Sequence, residues 1–254
     1  MIRFLLPAAI LLAASPAAAQ LFKGPEAYAA CIAIAKAKPE QGWEEALAWQ
    51  SLGGGEAARH CAAVALIGLG KHKEAAHRLE TLANESRRDE ATRAEMLGQA
   101  AQAWLLAGET ARADAAQRAA LGLAPGHPDL LIDHAVLLAQ VGRYDEAADR
   151  LSAVLAAQPN RVEALVLRAS ARRYLDDLAG ARADIARAVE LDPLFPDALL
   201  ERGMLSRLAG DDKAARADWM RAIDLNPEGA AADLARENLA KLDVKVKDGD
   251  PPRP

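Results

Sequence analysis

The residues best suited to chemistry in this 254-residue chain are two cysteines and a group of histidines near its start. Cys31 and Cys61 are the only cysteines, and His60, His72 and His77 lie close to the second of them. Such a set can form a disulfide, remain as two free thiols or bind a metal ion. The cysteines lack the close C-x2-C spacing of structural zinc sites, which argues against a metal.

Motifs for cofactor binding are present only as fragments. Gly53, Gly55 and Ala58 fit the G-x-G-x-x-A pattern of dinucleotide sites, but no β-strand is expected before them. Gly70 and Lys71 are followed by a histidine instead of the Ser or Thr of a phosphate-binding loop. Neither an H-E-x-x-H nor a G-x-S-x-G motif occurs. We therefore predict that the protein is not an enzyme, and we expect no catalytic residue, no cofactor and no bound metal.

The composition indicates many closely packed helices. Hydrophobic residues make up 52% of the chain but aromatic residues only 4%, and alanine alone supplies about a quarter. Alanine favours the helix and lets neighbouring helices approach closely, so a core can form without bulky side chains. The net charge of -5 argues against a nucleic-acid partner, because nucleic-acid-binding domains are usually basic.

The first residues have the three parts of a secretory signal peptide. Arg3 provides a positive start, Phe4 to Ala14 an apolar stretch, and Ala17 to Ala19 a small-residue cleavage site. We expect cleavage after Ala19 and export of the mature chain, most simply to a bacterial periplasm. An uncleaved membrane anchor is the alternative, although the apolar stretch is shorter than a spanning helix requires. No later segment is apolar enough to span a membrane, so we expect no stable membrane insertion after cleavage.

The remaining sequence has an internal period of 34 residues. Four prolines follow this period, and small residues recur in the same register. The prolines are Pro125, Pro159, Pro193 and Pro227, and the small residues are Ala101, Ala135, Ala169 and Gly203, then Ala113, Ala147, Ala181 and Ala215. A glycine recurs between the two sets of small residues at Gly108, Gly142 and Gly210, with Asp176 in the third copy. Each copy is therefore predicted to be a pair of helices, closed by a left-handed residue and ended by a proline.

This pattern resembles the tetratricopeptide repeat family, in which each 34-residue copy folds as an antiparallel helix pair. The resemblance is carried most fully by Leu131, His134, Ala135, Leu138, Ala147, Leu151, Val154 and Pro159. It implies an all-α fold, a right-handed superhelical solenoid of helix pairs with a C-terminal capping helix. Arg172 and Ser206 stand where a large aromatic residue is usual, and Gln117 where an apolar residue is usual. We expect these departures to loosen the packing locally.

The register divides the chain into a signal peptide, a series of repeats, a cap and a tail. The repeats are expected to bury a continuous core between them, and the cap to cover the last copy. The boundaries are 1–19 for the signal peptide, 20–55 for a degenerate first repeat, 56–89, 94–127, 128–161, 162–195 and 196–229 for the repeats, 230–242 for the capping helix and 243–254 for a disordered tail.

The resemblance also bears on the two cysteines. Cys31 and Cys61 occupy nearly equivalent positions in the first helices of successive pairs, which are neighbours in such a stack. In an oxidising compartment a disulfide between them is the expected state. Two buried free thiols, or a metal site that uses the neighbouring histidines, are the alternatives.

In tetratricopeptide repeats the first helices line a groove that binds ligands. The resemblance assigns ligand-facing side chains to recurring positions of these helices in three copies. They are Asp129, Ile132, Val136 and Gln140, then Glu163, Val166, Ser170, Arg173 and Tyr174, then Asp197, Leu200, Met204, Arg207 and Leu208. Apolar residues beside Arg173 and Arg207 suit a peptide with an apolar face and an acidic flank. The alternative is that the apolar residues pack against neighbouring copies.

These observations predict a non-catalytic adaptor or scaffold of the bacterial cell envelope. Its partner is expected to be another protein or a peptide segment, bound in the groove of the repeat stack. Two alternatives remain: a structural protein that associates with itself, and a periplasmic metal-handling protein that uses the region of His60 and Cys61.

Overall fold

A computed structural model describes residues 25–248, with side chains for residues 25–243. This part of the chain contains thirteen α-helices and no β-strand, which confirms the predicted all-α helical repeat fold. The helices α1 to α13 are, in order, Pro25–Ala37, Pro39–Ser51, Gly55–Gly68, His72–Glu85, Glu90–Leu106, Thr110–Leu123, Pro128–Gln140, Tyr144–Ala157, Val162–Tyr174, Leu178–Leu191, Pro196–Leu208, Asp212–Leu225 and Ala230–Asp248. The predicted signal peptide, residues 1–19, lies outside the described residues.

The helices belong to two compact units. Unit 1 ends at Ala116 and unit 2 begins at Gln117. Within unit 1, α1 packs against both α2 and α3; within unit 2, the pairs α7–α8, α9–α10 and α11–α12 pack as hairpins. In unit 2 the first helix of each pair also contacts the first helix of the next pair. The helices α7, α9, α11 and α13 therefore form a row in which each packs against the one that follows.

The turns between paired helices follow the predicted backbone rule. Gly108, Gly142 and Gly210 have φ values of 75°, 76° and 83°, the left-handed region that glycine adopts without a Cβ penalty. Asp176 occupies the same position with a φ of 62° and is the only non-glycine residue with a positive φ among those described. Asp tolerates this conformation better than most residues. The prediction of a left-handed residue in each of these turns is confirmed.

Alanine fills the places where helices come closest. In unit 2, Ala135, Ala147, Ala169 and Ala181 are at most 1% exposed and belong to one core cluster with larger aliphatic residues. Gly203 replaces the alanine of the last copy, because a methyl group there would overlap the indole of Trp219. The residue at this position is thus smaller where the side chain that faces it is larger.

Two of the departures from the repeat pattern, Gln117 and Arg172, form side-chain hydrogen bonds within unit 2. Gln117 is 1% exposed and donates from Nε2 to the Leu130 carbonyl at 2.6 Å. Arg172 donates from Nη1 to Asp184 Oδ2 at 2.7 Å, and Asp184 also accepts two hydrogen bonds from Arg168. Polar side chains are tolerated in these positions because each finds a hydrogen-bond partner.

Two helix boundaries differ from the sequence analysis. The last helix continues to Asp248 and so passes the predicted end at residue 242 into the segment predicted to be a disordered tail. The sequence has no glycine or proline between Leu242 and Gly249 that would end it earlier. Helix α5 begins at Glu90, before the predicted start of its copy at residue 94, because Asp89 caps it by accepting from Thr92 N at 2.9 Å.

Candidate functional site

A pocket of about 260 Å³ opens in unit 2 between α7, α8 and α9. Four of the predicted groove residues line it: Val136, Gln140, Ser170 and Tyr174. Apart from Tyr144, small and aliphatic side chains form the rest of its lining, among them Ala139, Leu151 and Leu167. The structure therefore brings together part of the predicted groove around a mostly apolar cavity.

Two stacked tyrosines form one side of this pocket. Tyr144 is the first residue of α8 and Tyr174 the last residue of α9, so two helix ends bring the rings together. The ring centroids are 4.3 Å apart and the planes differ by 3°. Tyr174 is 57% exposed, which leaves apolar ring surface available to a ligand. The Arg173 guanidinium carbon lies 4.5 Å from the Tyr174 ring centroid, and this contact helps to fix the ring.

Two of the predicted ligand-facing residues lie in the core. Ile132 is 4% exposed and Val166 is 6% exposed, and both belong to the core cluster of unit 2. They pack with Leu131, Leu165 and other aliphatic residues between the helices. Their assignment to a ligand-facing surface is therefore wrong, because side chains that fill the core expose almost no area to a ligand.

Arg173 does not offer a free positive charge to an acidic ligand. Its Nε donates to Glu201 Oε1 at 2.5 Å, and the two side chains are 12% and 8% exposed. Burial lowers the pKa of Arg173, but the hydrogen bond and the negative charge of Glu201 outweigh it and leave that pKa raised. The pair is electrically balanced within unit 2. Of the two predicted cations beside the groove, Arg207 has no ion-pair partner among the described residues, and its Nη1 is buried without a hydrogen bond.

The remaining predicted residues lie apart from the pocket lining. Asp129 and Glu163 are exposed and both accept hydrogen bonds from Arg161, at 2.7 and 3.1 Å. These bonds raise the pKa of Arg161. Leu200 and Met204 are partly buried against the cluster around Trp219, whereas Asp197 and Leu208 are exposed.

Sequence reasoning missed Tyr144, which lines the pocket from a second helix. The predicted ligand-facing positions all lie on first helices, whereas Tyr144 lies on a second helix. The signal was present, because Tyr144 follows the Gly142 turn by two residues and therefore starts α8 beside the end of α7. An aromatic residue at that place is well positioned to contact the end of the next first helix.

The predicted disulfide is present in unit 1. Cys31 in α1 and Cys61 in α3 are bonded, with their Cα atoms 6.1 Å apart. Both thiols are consumed in this bond, and the described residues include no group of three or more His, Cys, Asp or Glu side chains placed to hold a metal ion. The metal-handling alternative thus has no thiolate ligands.

The histidine beside this disulfide is bonded on both ring nitrogens. His60 Nδ1 lies 2.9 Å from the Tyr28 hydroxyl, and His60 Nε2 lies 2.8 Å from Gln99 Oε1. A neutral ring satisfies both contacts, with Nε2–H donating to Gln99 and Nδ1 accepting from Tyr28. Burial lowers the pKa of His60 more than the Gln99 hydrogen bond raises it, so the neutral form is favoured.

Comparisons with known proteins agree with the repeat pattern. A family model described as a tetratricopeptide repeat matches residues 105–171. The chain is similar to MamA from Desulfovibrio magneticus RS-1, with 23% identity and a TM-score of 0.58 over 69% of this chain and 97% of that one. A tetratricopeptide repeat protein from Parabacteroides merdae has 17% identity and a TM-score of 0.60 over 84% of each chain. YrrB, described as a tetratricopeptide repeat protein with an unusual peptide-binding site, has 18% identity and a TM-score of 0.52 over 71% of this chain and 91% of that one.

A search of curated proteins gave no match. The family model and the solved structures support the resemblance to the tetratricopeptide repeat family, and the structural likenesses concern the fold. Among the described helices, none has the length and apolar character needed to cross a membrane.

Proposed function

We propose that this protein is a non-catalytic scaffold of the bacterial cell envelope that binds a peptide segment of another protein on unit 2. The stacked pair of Tyr144 and Tyr174 beside the apolar pocket is the observation that carries the proposal. Exposed aromatic rings give a large contact area at a low cost in side-chain entropy, and they are typical of protein interfaces. The fold similarity to YrrB, which is described as having a peptide-binding site, is consistent with this use.

The pocket sets the size and polarity of what it can accept. A volume of about 260 Å³ is enough for one apolar side chain of the peptide, with the tyrosine rings covering one side of it. Gln140 and Ser170 provide hydrogen-bonding groups at the lining. Arg173 is already paired with Glu201. Acidic residues that flank the apolar part of the peptide would therefore contact Arg207.

A defined peptide probe tests this proposal. Peptides that bind the wild-type protein are selected from a random display library. Their affinities for the wild type and for Tyr174→Ala are then measured by isothermal titration calorimetry. We expect the affinity to fall about tenfold or more, since a lost aromatic contact is worth about 1.4 kcal/mol. Met220→Ala is the matched control because Met220 is 53% exposed on α12 and does not line the pocket. Equal binding to wild type and Tyr174→Ala would refute the pocket as the peptide site.

The location in the cell envelope has its own test. The protein is expressed from its full gene, recovered from the periplasmic fraction and sequenced from its N-terminus. We expect the sequence to begin at Gln20, because cleavage is predicted after Ala19. Recovery of a chain that still begins at Met1 in the cytoplasm would contradict export.

Self-association is a second candidate, favoured by exposed apolar residues of unit 2. Leu208 is 57% exposed at the end of α11, and Leu175 and Val141 are 46% and 45% exposed at equivalent turns. Such residues can form an interface between copies of the chain. Sedimentation over a range of concentrations separates the candidates: a mass that rises with concentration and is lost in Leu208→Glu supports self-association.

A further inference from the structure

Unit 1 contains a second pocket, larger than that of unit 2. Its volume is about 620 Å³, within the range of small-molecule sites. Helices α1, α3 and α5 form most of it, together with the connections that precede α3 and α5. Tyr28 provides a partly exposed aromatic ring in the lining, whereas Trp49 and Met96 also line the pocket but are only 4% and 7% exposed.

One wall of this pocket is held in place by bonds that cross between helices. His60 contacts the Tyr28 hydroxyl on α1 and Gln99 on α5, and the ring is 6% exposed. The neighbouring Cys61 is bonded to Cys31, which ties α3 to α1 at the same level. This side of the pocket is therefore held in position before a ligand binds, whereas the charged side chains of the lining would be ordered by the ligand.

The lining also carries two opposite charges that are not paired with each other. Arg88 and Glu95 are both exposed and line the pocket, and no side-chain hydrogen bond or ion pair joins either of them to another described residue. Arg88 does lie near the carboxylate of Asp89, whose pKa is lowered chiefly by hydrogen bonds from Thr92 and further by the charge of Arg88. Glu56, the other carboxylate of the lining, accepts from Ser86 Oγ at 2.8 Å. Burial raises the pKa of Tyr28, while the charge of Arg88 lowers it and that of Glu95 raises it. Both charges therefore lie within electrostatic reach of the same hydroxyl.

We propose that this pocket binds a small zwitterionic molecule with an apolar body, namely a free amino acid or a short peptide. Arg88 would bind the carboxylate through its guanidinium, and Glu95 would bind the ammonium group. The Tyr28 ring would provide the main contact to the apolar side chain. A cation and a carboxylate beside an aromatic ring are complementary to such a ligand, and the proposal is independent of peptide binding on unit 2.

Titration calorimetry with matched probes tests the ligand class. The probes are L-phenylalanine, the dipeptide phenylalanyl-alanine and N-acetyl-phenylalanine amide, which lacks both charges. We expect saturable binding of at least one of the first two probes and none of the blocked compound. Binding of phenylalanine alone assigns a free amino acid, and binding of the dipeptide alone assigns a short peptide. Absence of binding by both, or equal binding of the blocked compound, overturns the proposal.

Charge-removing variants test the roles of the two residues. Arg88→Gln and Glu95→Gln should each weaken binding of the zwitterionic probe by at least about tenfold, the loss expected for a hydrogen bond to a charged group. Arg87→Gln and Glu90→Gln are the controls, because these exposed neighbours do not line the pocket. Phenylalaninamide, which has no carboxylate, should bind wild type and Arg88→Gln equally. Unchanged affinity in Arg88→Gln and Glu95→Gln, or an equal loss in the controls, would overturn the assignment.

Discussion

At the scale of single residues, the left-handed turn position decides which side chain is tolerated. Asp176 adopts a φ of 62° where the other copies have glycine. Replacing Asp176 by glycine should raise the free energy of unfolding by about 1 kcal/mol, because the steric penalty of a Cβ in this region disappears. Urea unfolding measures the change. Gly142→Asp is the reverse control and should lose a similar amount, since a Cβ at Gly142 meets no atom within 4 Å and only the backbone angle differs.

His60 gives the stability of unit 1 a pH dependence with a definite sign. Its pKa in the folded protein is lowered from the ordinary value of 6.5, chiefly by burial, with Lys36 contributing in the same direction. The contribution of neutral His60 to the free energy of unfolding is fully present above the pKa that this histidine has in the unfolded chain. It is lost as the pH falls from there through the lower folded pKa, because the unfolded chain binds a proton at His60 more readily than the folded chain does.

The test for His60 compares unfolding free energies between pH 7 and pH 5. We expect wild type to lose more stability over this range than His60→Gln, which cannot take up the proton. The carboxylates of the same pocket, Glu56 and Glu95, are present in both proteins and therefore do not distinguish them. Parallel pH curves for the two proteins would show that His60 is not the group responsible.

At the scale of elements, the packing of α11 against α12 depends on the small size of Gly203 and the large size of the Trp219 indole that faces it. Gly203→Ala would restore the alanine found in the other copies, yet it should destabilise the protein by about 1–3 kcal/mol, because the new methyl overlaps the Trp219 indole. Trp219 is fully buried and occupies the place of Leu151 and Ile185 in the preceding copies. The double variant Gly203→Ala/Trp219→Leu should therefore be more stable than the sum of the single changes predicts.

Chemical denaturation of wild type, both single variants and the double variant completes this cycle. A favourable coupling energy of at least about 1 kcal/mol is expected for residues in direct contact. Additive effects would mean that the glycine is not present to accommodate the indole.

The elements themselves were predictable from the sequence, whereas the surface they present was only partly so. Prolines and left-handed residues act on the local backbone, so Pro159, Gly142 and Asp176 mark helix ends without any knowledge of the fold. Which face of a first helix is exposed depends on how tightly its neighbours pack. Ile132 and Val166 were therefore assigned to the ligand surface although they lie in the core.

At the scale of the whole molecule, a core spread along a chain of helix pairs explains the composition. Alanine provides many of the buried positions in both units, and the few large buried side chains, such as Trp104 and Trp219, lie in different units. In repeat proteins, stability is approximately a sum of the repeats and their nearest-neighbour contacts. A change confined to one end should therefore have a local effect.

The Cys31–Cys61 bond provides the test of that locality. Replacing both cysteines by alanine should lower the free energy of unfolding by about 3.7 kcal/mol, the entropic cost of closing a loop of this length in the unfolded chain. Hydrogen exchange followed by mass spectrometry should show reduced protection in α1 to α3 and unchanged protection in α7 to α12, because the bond lies wholly within unit 1. A reducing agent should reproduce the effect in wild type and leave the double variant unchanged. An equal loss of protection throughout unit 2 would mean that the chain unfolds as one cooperative body.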